Sequence, residues 1–169
     1  MSLTALLLLQ AATPVSAPAA PWTPRERTDA ATGAKSVAVG ATSRENNARL
    51  SLRCDAQVPV VSLQYIPREP LGAGPERVVS MSFDGGPPVA LAWEFPGTAA
   101  FVRDTPSVTA LTIEMAKARA IKVEALSTAG TTVSATFDGP GGDAPIKAVL
   151  TACGYTLGEV PVAPPEAAK

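Results

Sequence analysis

Ala48-Arg49-Leu50-Ser51-Leu52-Arg53-Cys54 alternates without a break. Ala48, Leu50, Leu52 and Cys54 fall on one side and Arg49, Ser51 and Arg53 on the other, which is the period-two pattern of a strand with one face buried. This stretch decides the fold class. It sets a half-buried sheet in the middle of the chain and aims Cys54 into the core. Its outward arginines, Arg49 and Arg53, lie near Asp55 and read as a solvated strand face or as a contact for a small ligand or partner.

Similar patterns extend in both directions. Ser36 to Ala41 reads as a short edge strand in a polar, turn-rich region. Val58 to Ile66 reads as a second strand with Pro59 near its start, and Pro67 to Pro75 as a Pro/Gly loop. Val79, Met81 and Phe83 alternate with Ser80, Ser82 and Asp84. After Gly85-Gly86, Val89, Leu91 and Trp93 alternate with Ala90, Ala92 and Glu94, which predicts a hairpin. Ala99 to Arg103 adds a short strand. Thr105-Pro106 opens a helix, with Thr105 as cap and Val108, Leu111 and Met115 on one face. Ile121 to Leu126 and Thr132 to Phe137 form a last strand pair around Gly130.

Asp143 then caps a final helix, with Pro145 in its first turn. Ile146, Val149, Leu150 and Cys153 follow at i, i+3, i+4 and i+7, and Gly154 ends it. Cys54 and Cys153 are the two cysteines of the chain. They read as one long-range disulfide joining the last helix to the first strong strand; the alternative is two buried free thiols. Closing a loop of roughly 100 residues stabilises by about 4.7 kcal/mol in the chain-entropy picture. Strands joined by hairpins, with two helices, imply an α+β fold: an antiparallel β-sheet with both helices packed on one face.

The chain of 169 residues opens on a Leu-rich run, Leu3 to Ala12, too short to cross a bilayer and followed by small residues. It predicts a signal peptide over 1–19, cut after Ala19; a cut after Ala17 would leave Pro18 beside it. Residues 20–159 then form a single α+β domain, with Pro18 to Pro24 as an extended lead-in anchored by Trp22, and 160–169 a disordered Pro/Ala-rich tail. The expected location is the periplasm or the exterior, where disulfides persist.

Composition excludes several function classes. Apolar residues make up 46% and aromatics 5%, so Val, Leu, Ile and Ala fill the core. Its large pieces are Trp22, Trp93, Phe83, Phe95, Phe101 and Phe137. A net charge of −1 with no clustered sign argues against nucleic acid and anionic lipid as partners. Histidine is absent, which removes the commonest general base and the commonest metal ligand. Asp84 and Asp104 have no calcium-loop spacing. Glu94, Asp104, Glu114 and Glu124 are available as a hydrolytic carboxylate pair only if folding brings two together. The glycines of Leu71 to Pro75 and of Asp138 to Gly142 read as tight turns, without a phosphate-loop lysine. No catalytic residue, cofactor or metal is expected.

Leu50-Ser51-Leu52-Arg53-Cys54, Ser82-Phe83-Asp84, Ile121-Lys122-Val123, and Thr136-Phe137-Asp138 leading to Ala152-Cys153-Gly154 resemble the VasI family of exported proteins associated with type VI secretion and its relatives of unknown function. The resemblance spans roughly Trp22 to Tyr155. It departs at Ser82, where the family carries arginine. It implies no enzyme, but a periplasmic accessory protein acting through protein–protein contacts. The alternative is a periplasmic inhibitor or binding module, such as a lysozyme-inhibitor-like protein, which would work through a protruding loop.

Overall fold

The computed structural model describes residues 21–161. The leader over 1–19, its cleavage site and most of the Pro/Ala tail lie outside the described residues. Nine strands and two helices follow in the order β1 (Arg25–Thr28), β2 (Lys35–Thr42), β3 (Arg49–Asp55), β4 (Val60–Ile66), β5 (Gly74–Phe83), β6 (Val89–Phe95), β7 (Ala100–Val102), α1 (Thr105–Lys117), β8 (Ala120–Leu126), β9 (Thr132–Asp138) and α2 (Ala144–Ala152). The strands form one antiparallel sheet in the order β1-β2-β3-β4-β7-β6-β5-β8-β9.

The segment β4-β7-β6-β5 is a Greek key. Strand β4 leaves the sheet, β5, β6 and β7 run as a meander, and the meander brings β7 back beside β4. The two halves of the sheet meet narrowly. Strand β7 has three residues and joins β6 through the single pair Glu94↔Phe101. The bidentate pair of Arg103 with Glu94, at 2.7 and 2.8 Å, sits at this seam.

The antiparallel sheet, the two helices and the disulfide agree with the sequence, but the sheet is not a flat layer. It curls into a half-barrel. The Tyr65 ring on β4 meets the Phe137 ring on β9 edge to face, with centroids 6.3 Å apart, although four strands separate them in sheet order. Such contact requires the two arms of the sheet to face each other. Helix α2 packs against β2 and β3, α1 against β4, and the helices touch. Leu50, Leu52, Val61, Leu63, Val79, Met81, Ile121, Val123 and Phe137 join Leu111, Met115, Ile146 and Val149 in one core.

Cys54 and Cys153 are bonded, with Cα atoms 5.7 Å apart and a sequence separation of 99. Cys153 is the residue that ends α2 rather than part of its face, yet it stays buried. Two further expectations about helix ends change. Asp104, not Thr105, caps α1: its backbone is extended at φ −65° and ψ 130°, and its carboxylate accepts from the Ser107 N–H. Thr105 is instead the first helical residue. Asp143 precedes α2 but does not bond its backbone through the side chain; its carboxylate takes Lys147 Nζ at 2.6 Å.

Other boundaries also shift. Strand β4 begins at Val60, leaving Val58 outside the sheet and exposed. Strand β5 begins at Gly74, inside the expected loop, and passes a bulge before Arg77. Strand β1 occupies four residues that the sequence did not mark. Phe101, expected in the core, lies half-buried on the outward face, while Tyr65 takes a fully buried place. The β5–β6 turn needs two left-handed residues, and Asp84 (φ 51°) and Gly85 (φ 75°) supply them.

Candidate functional site

The outward face of β1 to β4 assembles by register. Arg25 pairs with Ala38, and Ala38 with Arg53, so the two arginines stand on either side of a methyl group. One row along, Arg27, Ser36 and Asp55 align; in the other direction Gly40, Ser51 and Gln64 align, then Thr42 and Arg49. The β2 residues facing outward, Ser36, Ala38, Gly40 and Thr42, are all small. Gly40 admits no side chain at all, because a Cβ there would collide with the Leu50 carbonyl oxygen. Small residues on the middle strand and long ones on its neighbours make a groove along β2.

This groove has a volume of about 360 Å³. Arg25 and Arg27 form one bank, and Arg49 and Arg53 the other; no aspartate or glutamate lines the groove itself, while Asp29 and Asp55 stand in the hollow that adjoins it at Arg27, Ser36 and Arg53. Among the described residues none of these four guanidinium groups has an ion pair or a side-chain hydrogen bond. Strands lie about 4.8 Å apart, so the banks stand roughly 10 Å from each other at their Cα atoms. Asp29 secures the β1 bank. Its carboxylate accepts from the N–H groups of Ala31 and Thr32 and from the Thr32 hydroxyl. These bonds, led by that from the Thr32 backbone, hold its carboxyl below the usual range.

A second hollow of about 570 Å³ adjoins the groove across Arg53 and Gln64 and contains Phe101 and Glu94. Glu94 is engaged by Arg103.

The predicted site residues Arg49 and Arg53 are thus brought together with Arg25 and Arg27, which the sequence reading passed over. The signal for those two is the alternation Arg25-Glu26-Arg27, which puts two like charges on one strand face. It is short and wholly polar, so apolar periodicity does not detect it.

The other chemical candidates disperse into separate structural roles. Asp84 Oδ1 accepts from the backbone N–H groups of Arg119 and Ala120, both at 2.9 Å, and pins the start of β8. Asp104 caps α1. Glu114 lies 3.8 Å from Lys117, and Glu124 pairs with Lys122 at 2.9 Å. The Leu71–Gly74 loop is tied down: Arg77 donates to the carbonyls of Leu71 and Gly72, and its guanidinium lies 3.9 Å over the Phe95 ring. Among the described residues no group of three or more Cys, Asp or Glu side chains could share an ion, and no helix is long and apolar enough to cross a membrane. The chain matches no family model, no curated protein and no solved structure.

Proposed function

We propose that this protein is a non-enzymatic accessory domain, exported to the periplasm or beyond, that acts by holding a protein partner on the outward face of β1 to β4. One observation carries the reading: four arginines that have no ion pair among the described residues line one groove, with carboxylates only in the hollows adjoining it, in a chain whose net charge is −1. Concentrated like charge at a concave place costs self-repulsion, and it is offset when an opposite charge docks. The side chains of β2 and β3 on the other face of the sheet are committed to the core, against which α2 packs, and this leaves the outward face as the working surface. The Cys54–Cys153 bond fits an oxidising compartment. The resemblance to secretion-associated proteins favours a partner in an envelope-spanning apparatus.

The test is site-specific photo-crosslinking in producing cells. A photoreactive residue at Ser51, in the groove, should capture a discrete partner in the exported fraction. One at Ala110, on the exposed side of α1, should not. Capture from both sites alike, or from neither, overturns the reading. N-terminal sequencing of exported material should begin at Ala20, and a start at Met1 would refute export.

A further inference from the structure

We infer that the groove takes an extended acidic segment of a partner protein, with carboxylates at alternate residues; this deepens, and rests on, the docking surface proposed above. The groove runs parallel to β2 from the row of Arg27 and Ser36, beyond which Asp55 marks its end, to the row of Thr42 and Arg49. Those rows are six residues apart, or about 20 Å in an extended chain. A trough of that length, with a floor of small side chains, suits a segment of extended chain. The charges match as well. Arg25 and Arg27 are two residues apart on one strand, about 7 Å, and alternate side chains of an extended ligand repeat at that same distance. Arg53 faces Arg25 across Ala38, so a carboxylate seated over Ala38 meets a guanidinium from each side. Arginine suits this task, since its planar fork binds a carboxylate through two parallel hydrogen bonds.

The lining also separates a peptide from a single-stranded nucleic acid. Grooves for single strands combine positive charge with aromatic platforms for base stacking. No aromatic residue lines this one. Its polar groups besides the arginines are short hydroxyls and Gln64, suited to backbone amides.

The experiment uses the oxidised protein and a fluorescein-labelled peptide of four Glu-Ser repeats, read by fluorescence anisotropy. Binding is expected at low salt, weakening steadily as salt rises, with none for the matching Gln-Ser peptide. Reversing two charges with Arg25→Glu and Arg53→Glu should weaken binding by about tenfold or more, as loss of charge-assisted pairs demands. Arg49→Glu alone should weaken it less, and Arg119→Glu, exposed but outside the groove, should leave it unchanged. All four positions are exposed, so melting temperatures should match the parent and show that the variants fold. Absence of binding at the lowest salt overturns the inference, as does binding indifferent to the charge reversals. Tighter binding of an oligothymidylate than of the acidic peptide overturns it in favour of nucleic acid. If Ser51 captures a partner while the peptide does not bind, this inference fails and the docking surface stands. If neither occurs, both fail.

Discussion

The indole Nε1 of Trp22 donates a 2.7 Å hydrogen bond to the backbone carbonyl of Asp138, 116 positions away. The Trp22 N–H also donates to the Gly40 carbonyl at 2.7 Å, so this one residue joins β2 to the end of β9. Nearby, Arg44 pairs with the Asp138 carboxylate and Asn46 Nδ2 donates to the Ser134 carbonyl. Together these close the mouth of the half-barrel with side chains where a tenth strand would otherwise sit. They also cover polar groups on the free edge of β9, the part of a sheet most prone to pair with another chain.

Trp22→Ala should therefore destabilise the domain by about 3–5 kcal/mol through the lost buried ring. Trp22→Phe keeps most of the apolar surface but leaves the Asp138 carbonyl without its donor, and should cost about 1–3 kcal/mol. Urea unfolding followed by circular dichroism measures both. Equal stability of parent and Trp22→Ala would disprove the closure.

The disulfide restrains a loop of 99 positions that contains the whole Greek key. Cys54→Ser or Cys153→Ser should cost roughly 2–5 kcal/mol. The double variant should be no worse than the poorer single, because both remove the same bond. Thermal melts of the three variants decide this, with free-thiol labelling of the oxidised parent as a control.

Tyr65 is fully buried, and among the described residues its hydroxyl has no hydrogen-bond partner. Burial pushes its phenol up from 10.0 to about 12. The folded state thus keeps a proton that the unfolded chain gives up first. Stability from this group is complete below pH 10 and is lost as pH rises toward 12. Tyr65→Phe should abolish that alkaline decline and be neutral or slightly stabilising at pH 7, since it removes a buried group without a partner. Stability curves of parent and variant across alkaline pH provide the check, and parallel declines would refute the assignment.

Asp84 serves two purposes at once, a left-handed turn residue and a cap on two N–H groups of β8. Asp84→Ala loses both and should cost about 1–2 kcal/mol. Asp84→Gly loses only the cap, so it should cost less than alanine. The ordering of the two melting temperatures is the readout; alanine equal to glycine would show that the backbone conformation carries no penalty.

Much of this fold was legible in the sequence because its strands are buried on one face only. Leu50-Ser51-Leu52-Arg53-Cys54, the Val79–Trp93 hairpin and the β8–β9 pair all display that alternation, and Cys54 falls on an apolar face. Alternation says which way a side chain points, not which strand lies next door. The insertion of β7 between β4 and β6, and the curl that brings Tyr65 to Phe137, were therefore out of reach. At α1 two residues able to cap stand side by side, and only the extended backbone of Asp104 decides between them. The groove was half visible. Arg49 and Arg53 share a strand face, but their counterparts arrive from β1, a four-residue strand without one apolar side chain.

The strand order also governs when this protein can assemble. As the chain emerges from its N-terminal end, β1 to β4 can pair as a meander, but β4 lacks its second neighbour until β7 exists. The inner faces of β2 and β3 stay wet until α2 arrives, and Trp22 waits for Asp138. Contacts between such distant parts of a chain form slowly, because loop closure must precede any gain from packing. The domain therefore matures only once its final strand and helix are available, and Cys54 cannot find Cys153 before then. A polypeptide built this way leaves apolar strand faces uncovered for most of its synthesis, the interval in which it is most open to pairing with other chains.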